Sequence, residues 1–507
     1  MNALTLAVSR VTLFQLFQKR ATTQANALAL TDGDTTYTYA ELHQRACQLA
    51  GALQALGLRR GDRVAVLSEN RLEYIELELA AARLGLIIAC LNWRLADDEL
   101  THCIHLVSPA LLVASPRYQA TVARLDHGVP QCMLLGPAFE QWRQQASVTA
   151  PPADVVPEDG LVILYTSGTT GMPKGALISQ RAMVARMQAF ALDYGITGRD
   201  GYIAWSPLFH MAATDHALAT LMLGGKVTVH DGLDVPRLCR TLEQEPIGWL
   251  VAMPGMIEAL IDGLKNCKPR IQSLRVVGAM ADLVPPHQIA ELTQLIGAPY
   301  MNSFGSTETG LPPASGALLP IGVTPSSLSK RESSLCHVRL VDAHDQDVPD
   351  EVPGELVIAG PTLFSGYWNA DATNAQDFRG GGFHMGDLFV RHADGSLDFV
   401  DRLKYLIKSG GENIYPAEIE RVLLAHPAVR DAAVVRKRDD QWGEVPVAFV
   451  ASDDAALDAA ALMDWCSTRL SRYKQPKEIR LIAEAALPRS STGKIQRHEI
   501  ERKWQLL

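Results

Sequence analysis

A short apolar strand that runs directly into a loop of hydroxyl residues and glycines is the feature that most constrains this chain. Residues 161–164 read Leu-Val-Ile-Leu, which predicts a buried strand. Residues 165–175 then read Tyr-Thr-Ser-Gly-Thr-Thr-Gly-Met-Pro-Lys-Gly. Because glycine tolerates positive φ, backbone N–H groups can converge on one point, where hydroxyls add donors and a lysine adds positive charge. The segment therefore predicts a loop that binds phosphates.

This loop differs from the common phosphate-binding loop of nucleotide hydrolases. The Walker pattern requires Gly-Lys followed by Ser or Thr, whereas here Pro173 precedes Lys174 and Gly175 follows it. A solvated surface turn is the simpler interpretation of many Gly/Thr-rich segments. The regular alternation of hydroxyls and glycines after an apolar strand argues against that interpretation.

Length and composition set the class of protein. The chain has 507 residues, of which 47% are hydrophobic and 20% charged, so it is expected to form several globular domains. A formal net charge of -9 argues against a nucleic-acid partner, because binding to phosphate backbones favours a basic face. The 8 cysteines form no C-x-x-C pair, which favours reduced thiols over a zinc or redox site.

Neither a targeting segment nor a membrane span is predicted. Leu13, Leu16 and Phe17 lie at helical spacing, so the N-terminal region is predicted to be an amphipathic first helix rather than a transit peptide. The longest apolar run, residues 84–91, is too short to cross a bilayer. We therefore expect a cytoplasmic protein, either a monomer or a homodimer.

Helices and strands alternate through the first part of the chain. A helix over residues 40–56 and a strand over 64–67 are followed by a second helix over 73–84 and a second strand over 86–91. This order predicts a parallel sheet covered by helices. Since ligands sit at the carboxyl ends of parallel strands, loops further along are predicted to share one site. These loops are 206–211, 278–282 and 302–310.

The predicted secondary structure changes near residue 338. Short strands separated by turns predict a small β-rich subdomain, and the chain after residue 402 resembles a compact α+β unit. Within that unit a helix is predicted over residues 458–473.

A second motif, residues 302–310, reads Asn-Ser-Phe-Gly-Ser-Thr-Glu-Thr-Gly. The ring of Phe304 beside the bare backbone of Gly305 offers a flat surface for a stacked adenine. Glu308 can contribute oxygen to a Mg²⁺ that bridges phosphates, since Mg²⁺ binds few carboxylates and keeps several waters. The alternative is a polar turn with a solvated glutamate.

The phosphate loop and the second motif together resemble the signatures of the adenylate-forming superfamily of AMP-binding enzymes. The superfamily includes acyl- and aryl-CoA ligases, luciferases and peptide-synthetase adenylation domains. The resemblance extends from about residue 12 to residue 497. It implies an α/β fold with a large N-terminal domain (1–402) of layered α/β subdomains plus a small β-rich subdomain, and a small mobile α+β C-terminal domain (403–507). It also implies ATP, Mg²⁺ and coenzyme A as reactants or cofactors.

The resemblance assigns nucleotide-binding roles to residues of both motifs and to two later positions. A carboxylate accepts hydrogen bonds from a ribose diol and an arginine adds donors, which suits Asp387 and Arg402, although a surface ion pair is the alternative. Glu308 is also the expected metal ligand. The expected ATP or AMP contacts are Thr166, Ser167, Gly168, Thr169, Thr170, Gly171, Lys174, Ser303, Phe304, Gly305, Ser306, Thr307, Glu308, Asp387 and Arg402.

Two residues are expected to act in catalysis. Lys494, in Thr-Gly-Lys, matches the lysine that reaches the forming acyl phosphate, and a cation placed there stabilises charge that develops in the transition state. His210 matches a residue that positions the substrate carboxylate. Peptide-synthetase domains have an Asp at that place to bind an amine, so His210 argues against an amino acid, although Asp215 lies nearby. Lys404 matches the hinge position.

The remaining assignments concern the acid and the thiol. By resemblance the acid pocket includes His210, Met211, Ala279, Met280 and Gly310. Aromatic rings can pack on the adenine of coenzyme A and a lysine can meet its phosphates, but surface roles are equally open for each residue. For Gly410 and Gly411 the alternative is a pair of glycines that cap a helix. The expected coenzyme A contacts are Gly410, Gly411, Trp442, Tyr473 and Lys477.

We therefore expect an AMP-forming carboxylic acid–CoA ligase that adenylates an aromatic or medium-length acid and then transfers it to coenzyme A. Two alternatives stay open on the sequence. One is a stand-alone adenylation enzyme that loads a carrier-protein phosphopantetheine, and the other is a non-catalytic nucleotide-binding relative.

Overall fold

The computed structural model describes residues 10–148, 154–166, 172–410, 412–454, 456–489 and 495–506. The chain divides into two compact units. The first unit consists of residues 1–337 and 359–381, and the second of residues 338–358 and 382–507. The chain thus leaves the first unit, returns to it for a short segment, and leaves again. The predicted boundary after residue 402 lies within the second unit and stays a prediction.

The first unit contains the first twelve helices among the described residues. They are α1 (Leu13–Thr23), α2 (Tyr39–Ala55), α3 (Leu72–Leu84), α4 (Asp97–Val107), α5 (Gln119–Arg124), α6 (Pro137–Gln144), α7 (Gln180–Tyr194), α8 (Met211–Leu223), α9 (Val235–Gln244), α10 (Ile257–Cys267), α11 (Pro286–Ile296) and α12 (Asp371–Asp377).

Its strands alternate with these helices, as the sequence predicts. They are β1 (Leu28–Asp32), β2 (Thr35–Thr38), β3 (Arg63–Leu67), β4 (Ile87–Cys90), β5 (Leu111–Ala114), β6 (Cys132–Leu134), β7 (Gly160–Thr166), β8 (Lys174–Ser179), β9 (Gly201–Ala204), β10 (Val227–Val229), β11 (Pro246–Leu250), β12 (Ser273–Val277), β13 (Tyr300–Met301), β14 (Gly305–Ser306), β15 (Gly310–Pro313) and β16 (Leu318–Leu319).

Two mainly parallel sheets form the framework of the first unit. One has the order β6-β5-β3-β4-β7-β8 and the other the order β16-β13-β12-β11-β9-β10-β1-β2. In the second sheet β9, β11, β12 and β13 are parallel neighbours. Their carboxyl ends therefore meet at one edge, and the loops that follow β9, β12 and β13 include the three predicted to share a site. The predicted parallel arrangement of these strands is confirmed, and the sharing of one site by the three loops stays a prediction.

Helix α3 is buried on almost every side, because both polar and apolar positions face other elements. Two of its acidic residues lie in the interior, and each has a partner. The Glu76 carboxylate lies 2.7 Å from the Arg45 guanidinium, and Glu78 accepts a hydrogen bond of 3.1 Å from the Thr214 hydroxyl on α8. Buried charged or polar groups are tolerated only when they are paired in this way.

The short segment that returns from the second unit covers an open sheet edge. Strand β8 is the last strand of its sheet, and residues 365–368 pair with it. Leu177 N–H donates to the Gly366 carbonyl at 3.0 Å, and Trp368 N–H donates to the Gly175 carbonyl at 2.8 Å. The backbone groups of β8 are thus satisfied on both sides.

The described residues of the second unit form two sheets and three helices. Strands β17 (His337–Val341), β18 (Gly354–Ala359), β19 (Phe383–Arg391) and β20 (Leu397–Arg402) form the predicted β-rich part. A second sheet has the order β22-β21-β24-β23, and β25 is parallel to β24. Its strands and the three helices are β21 (Ile407–Ser409), β22 (Glu412–Ile414), β23 (Val429–Asp439), β24 (Gly443–Ser452), β25 (Glu478–Ile482), α13 (Pro416–Leu424), α14 (Ala459–Ser467) and α15 (Arg497–Lys503).

One predicted helix is shorter than expected. The helix predicted over residues 458–473 ends at Ser467. At its end the Ser467 hydroxyl donates to the Asp464 carbonyl at 2.8 Å, and the Thr468 hydroxyl donates to the Trp465 carbonyl at 3.1 Å. Hydroxyls that bond to nearby carbonyls compete with helical hydrogen bonds. The helix therefore ends here, although the apolar spacing in the sequence continues beyond it.

Among the described residues, no helix combines the length and apolar character needed to cross a bilayer.

The loop after β9 is held by one buried amide. The two N–H groups of the Asn70 side-chain nitrogen are shared among the carbonyls of Ala204 at 3.0 Å, Ser206 at 2.7 Å and His230 at 3.0 Å. Its side-chain oxygen accepts from the Leu208 N–H at 2.8 Å. This residue follows β3, so it links the two sheets at the point where the 206–211 loop begins.

We expect Asn70→Asp to destabilise the first unit by about 3 kcal/mol, because a carboxylate would face carbonyl oxygens that lose their donor. Urea unfolding followed by tryptophan fluorescence measures the change. The control is Asn266→Asp at an exposed position, which we expect to stay within about 0.5 kcal/mol of the parent. Equal stability of the two variants would show that Asn70 does not hold this loop.

Candidate active site

The predicted phosphate loop joins two antiparallel strands. The apolar segment 161–164 lies in β7, which confirms the predicted strand, and Thr166 at its end pairs with Lys174 at the start of β8. These two residues therefore face each other at the base of the loop. The residues at the tip, for which nucleotide contacts are expected, lie outside the described residues. They are Ser167, Gly168, Thr169, Thr170 and Gly171.

Lys174 and Glu308 both contact one tyrosine. The Lys174 Nζ atom lies 5.1 Å from the centroid of the Tyr367 ring. The Tyr367 hydroxyl donates a hydrogen bond of 2.7 Å to Glu308 Oε1. The structure thus links the two predicted signatures through a residue that sequence reasoning missed. Tyr367 is 59 positions beyond Glu308, and no local pattern pointed to it.

The second motif forms a tight hairpin of β14 and β15. A Cβ atom at Gly305 would lie 2.1 Å from the Gly310 carbonyl oxygen, so only glycine permits this close approach. Phe304 is half-buried, and its N–H donates to the Ser315 hydroxyl at 2.9 Å. Ser306 N–H donates to the Thr309 hydroxyl at 3.0 Å. Thr307 and Glu308 lie at the half-buried turn of this hairpin.

A hydrogen bond directly joins two of the predicted site loops, 278–282 and 302–310. The Met280 N–H donates to the Ser303 hydroxyl at 2.8 Å. Met280 has a φ of 48°, which is rare for a residue with a side chain. Gly278, two residues before it, has a φ of 87°, and a Cβ there would lie 2.2 Å from the Tyr300 ring. The chain therefore turns sharply after β12, which places Ala279 and Met280 beside the second motif.

The rest of the predicted acid pocket begins at the end of β9. His210 precedes the first residue of α8, Met211, and its ring packs against Phe209 with 4.6 Å between centroids. Both His210 and Met211 are half-buried. The structure therefore places these residues at the same sheet edge as Ala279 and Met280, with β11 between the two parent strands.

A buried arginine on α7, which sequence reasoning also missed, supports this edge. Arg186 pairs with Asp215 at 2.9 Å, and both side chains are 3% exposed. Its other N–H groups donate to the Thr307 carbonyl and the Thr362 carbonyl, each at 3.0 Å. A Cβ at Gly310 would lie 2.8 Å from the Arg186 side chain. Arg186 therefore fixes the far end of the second motif.

The ion pair with Arg186 defines the surroundings of Asp215. Burial raises the pKa of Asp215, and the neighbouring Arg186 opposes that rise. Arg186 pairs with one Asp215 oxygen, while the other oxygen is buried without a hydrogen-bond partner among the described residues. Asp215 is thus buried beside a cation rather than exposed as a partner for a substrate amine.

In the second unit, Asp387 and Arg402 are direct neighbours on antiparallel strands. They pair across β19 and β20, and Arg402 Nε lies 3.0 Å from Asp387 Oδ1. Asp387 is 1% exposed and the Arg402 side chain is 43% exposed, so the pair is half-buried rather than fully solvated. Burial raises the pKa of the adjacent Asp401 to about 6. Asp401 accepts the Ala417 N–H at 2.7 Å near the start of α13.

The turn that leads into Asp387 is held by a buried carboxylate. Gly386 has a φ of 70° within β19, and its N–H donates to Glu355 Oε1 at 3.2 Å. The other Glu355 oxygen lies 3.0 Å from His384 Nδ1. Neither Glu355 nor His384 was selected from the sequence. They lie in ordinary strand patterns, so burial is the signal that marks them.

Gly410 and Trp442, both predicted to face coenzyme A, lie against each other. Gly410 lies between β21 and β22, with a φ of 58°, so it belongs to a hairpin turn and does not cap a helix. Its N–H donates to the Trp442 carbonyl at 2.8 Å. A Cβ there would lie 2.7 Å from the Trp442 ring, which is itself 43% exposed.

Two further residues of this set and the predicted hinge lysine are exposed on the second unit. Tyr473 is 42% exposed, and Lys477 is also exposed. Lys404 is exposed and lies 4.9 Å from the centroid of the Tyr405 ring. Gly411 and Lys494 fall outside the described residues.

Comparisons with known proteins agree over almost the whole length of the chain. The model of the AMP-binding enzyme family matches residues 17–368, and that of its C-terminal domain matches residues 418–494. The chain is 33% identical to a feruloyl-CoA synthase of an Amycolatopsis species over 494 residues, covering 96% of this chain and 98% of the relative. It is 32% identical to an indoleacetate–CoA ligase of Aromatoleum aromaticum, covering 91% and 92% of the two chains.

Solved structures give the same result. The o-succinylbenzoate CoA synthetase of Bacillus subtilis with its acyl-adenylate intermediate aligns with a TM-score of 0.84 at 27% identity, covering 96% of this chain and 97% of the other. The same synthetase with ATP and magnesium aligns with a TM-score of 0.82 at 26% identity, covering 96% and 99%. The chain therefore belongs to the AMP-binding enzyme family.

Proposed function

We propose that this chain joins an aromatic carboxylic acid to coenzyme A in two ATP-dependent steps. The acid carboxylate first attacks the α-phosphate of ATP, which gives an acyl-adenylate and releases pyrophosphate. The thiol of coenzyme A then attacks the acyl carbon and displaces AMP. The observation that carries the proposal is full-length similarity to CoA ligases whose named acids contain an aromatic ring.

The first unit supplies groups suited to the triphosphate. Lys174, with the loop between β7 and β8, would bind the β- and γ-phosphates that leave as pyrophosphate. Glu308 fits a Mg²⁺ ligand, because a neutral hydroxyl rather than a cation fixes one of its oxygens. When bound, the metal would neutralise charge on the phosphates. Phe304, beside Gly305, would stack on the adenine.

The second unit supplies groups suited to the ribose. Asp387 is proposed to accept hydrogen bonds from the ribose hydroxyls, with Arg402 Nε 3.0 Å from its carboxylate. The hydrogen bonds of Glu355 to the preceding turn support this orientation. We assign Lys494 to the α-phosphate, where negative charge grows as the acid attacks.

The charges near the acid side favour an acid without an ammonium group. His210 and Met211 lie at the edge where the acid is proposed to bind. Asp215, the carboxylate nearest in sequence, is already paired with Arg186. An amino acid would bring a positive charge to this edge, where the Asp215 carboxylate is buried and one of its oxygens is already paired with Arg186.

Coenzyme A is proposed to meet the second unit at the surface formed by Gly410 and Trp442. The bare backbone of Gly410 lets the Trp442 ring pack closely against it, and the exposed part of that ring offers a stacking surface. Tyr473 and Lys477 are exposed and are proposed to contact the nucleotide part of coenzyme A.

A panel of acids tests the proposed reaction. With ATP, Mg²⁺ and coenzyme A, we expect kcat/KM for ferulic, indoleacetic or 2-succinylbenzoic acid to exceed that for acetate, hexadecanoate and phenylalanine by at least about tenfold. Pyrophosphate release measures the first step, and mass spectrometry of the thioester measures the second. A preference for phenylalanine would contradict the acid class. Adenylation without transfer to free coenzyme A would favour a carrier-protein acceptor instead.

The role of Lys494 predicts separate effects on the two steps. Lys494→Ala is expected to lower acid-dependent pyrophosphate release by about a thousandfold, while thioester formation from supplied acyl-adenylate stays largely intact. Single-turnover assays of each step measure this. Lys503→Ala, an exposed lysine of α15, is the control and should leave both steps unchanged. Equal loss of both steps in the Lys494 variant would contradict the assigned role.

The role of Trp442 predicts an effect confined to the thiol substrate. Trp442→Ala is expected to raise the KM for coenzyme A about tenfold and to spare pyrophosphate release, because loss of a stacking surface weakens only that ligand. Leu481→Ala, which removes an exposed apolar side chain from the same unit, is the matched control. An unchanged dependence on coenzyme A would remove Trp442 from the binding surface.

A further inference from the structure

We propose that Tyr367 is a positioning residue that holds Glu308 and Lys174 apart and oriented for the metal–triphosphate. Its hydroxyl lies 2.7 Å from Glu308 Oε1, and its ring lies 5.1 Å from Lys174 Nζ. The inference rests on the proposed function, in which Glu308 binds Mg²⁺ and Lys174 binds phosphate.

The backbone around Tyr367 is fixed by its pairing with β8. Tyr367 forms an antiparallel bridge with Ala176, and the hydrogen bonds of Gly366 and Trp368 to β8 flank that bridge. Lys174 is two positions before Ala176 in the strand, so the two side chains share one face. The ammonium of Lys174 therefore lies diagonally opposite the Tyr367 ring as a result of strand geometry.

A second set of contacts fixes Glu308 at the other end of the tyrosine. The Phe364 N–H donates to the Glu308 carbonyl at 2.8 Å, which ties the backbone of the motif to the same segment. The Tyr367 hydroxyl then binds one carboxylate oxygen. Within the described ranges, the structure gives the other Glu308 oxygen no hydrogen-bond partner from the protein. One oxygen is thus fixed while the second can be offered to a ligand.

One neutral side chain contacts two opposite charges that are not paired with each other. Among the described residues, Lys174 and Glu308 form no ion pair with each other. A direct pair would neutralise both groups and would compete with phosphate and metal for them. A tyrosine can satisfy both at once, because its hydroxyl donates to a carboxylate and its face attracts a cation. The aromatic ring therefore preorganises the two charges without cancelling them.

The decisive measurement is the effect of Mg²⁺ on the affinity for ATP. Calorimetry with ATP as the probe gives the dissociation constant in excess Mg²⁺ and in EDTA. The dissociation constant in EDTA divided by that in Mg²⁺ is the metal coupling ratio, and it is measured without turnover. Tyr367→Phe keeps the ring and removes the hydroxyl. We expect this variant to reduce the ratio roughly tenfold, as removal of a group that orients a metal ligand typically does. Affinity in EDTA should stay within about twofold, because the ring remains beneath Lys174.

Tyr39→Phe is the matched control for loss of a buried hydroxyl in the same unit. The Tyr39 hydroxyl donates to the backbone carbonyls of Leu221 at 3.1 Å and Gly225 at 2.7 Å, so its loss can lower the unfolding temperature. The control should nevertheless keep the parent ratio of ATP affinities. A merely structural role for Tyr367 would make the two variants alike, with lower stability and unchanged metal coupling, and that result would overturn the proposal.

Glu308→Gln separates this inference from the function on which it rests. If Glu308 binds the metal, this variant loses most of the coupling, and Tyr367→Phe adds little more in the double variant because both act through one carboxylate. If Glu308→Gln keeps the parent coupling, the proposed metal role of Glu308 fails. If Glu308→Gln loses the coupling while Tyr367→Phe keeps it, the metal role stands and the positioning role fails.

A third variant tests the contact with the lysine. Tyr367→Leu removes the ring as well, so we expect it to weaken ATP binding in EDTA by roughly threefold beyond Tyr367→Phe. Equal affinities of the two variants in EDTA would contradict the part of the proposal that concerns Lys174.

Discussion

The buried arginine on α7 is the interaction on which the arrangement of the first unit's candidate site depends. Arg186 places a full charge in the interior, and such a charge is tolerated only when its N–H groups are all engaged. Its partners come from three distant parts of the chain: Asp215 on α8, Thr307 in the second motif and Thr362 in the returning segment. Breaking a buried pair of this kind costs about 3–5 kcal/mol. The loops are therefore positioned by the electrostatic needs of one side chain.

Other buried polar residues hold predicted site segments within each unit in the same way. Asn70 binds three carbonyls and one N–H at the start of the 206–211 loop. Glu355 holds the turn before Asp387 through the Gly386 N–H and the His384 ring. Each of these side chains is buried and points at backbone that would otherwise be a loose loop. Rigid loops with exposed functional groups follow from buried supports, since an unsatisfied polar group would be costly.

The sequence predicts the parts of this fold that depend on local pattern. The strand before the phosphate loop, the alternation of strands and helices, and the gathering of loops at one sheet edge all follow from apolar periodicity and chain order. The side chains that position these loops are not predicted from local pattern, because their partners are remote in sequence. Arg186 lies 121 positions from Thr307, and Tyr367 lies 59 positions from Glu308. The helix predicted to reach residue 473 fails for a related reason, since hydroxyls that end it at Ser467 leave the apolar spacing unchanged.

The returning segment has a consequence for any attempt to dissect this protein. Residues 365–368 cover the edge of β8, although they follow the first excursion of the chain into the second unit. A fragment cut at residue 337 would keep both large sheets but would leave β8 with a row of unpaired N–H and C=O groups. Such an open edge is a template for strand addition between molecules. Aggregation of that fragment would then reflect a missing sheet edge rather than an incomplete core, and restoring residues 359–381 in trans would be the direct remedy.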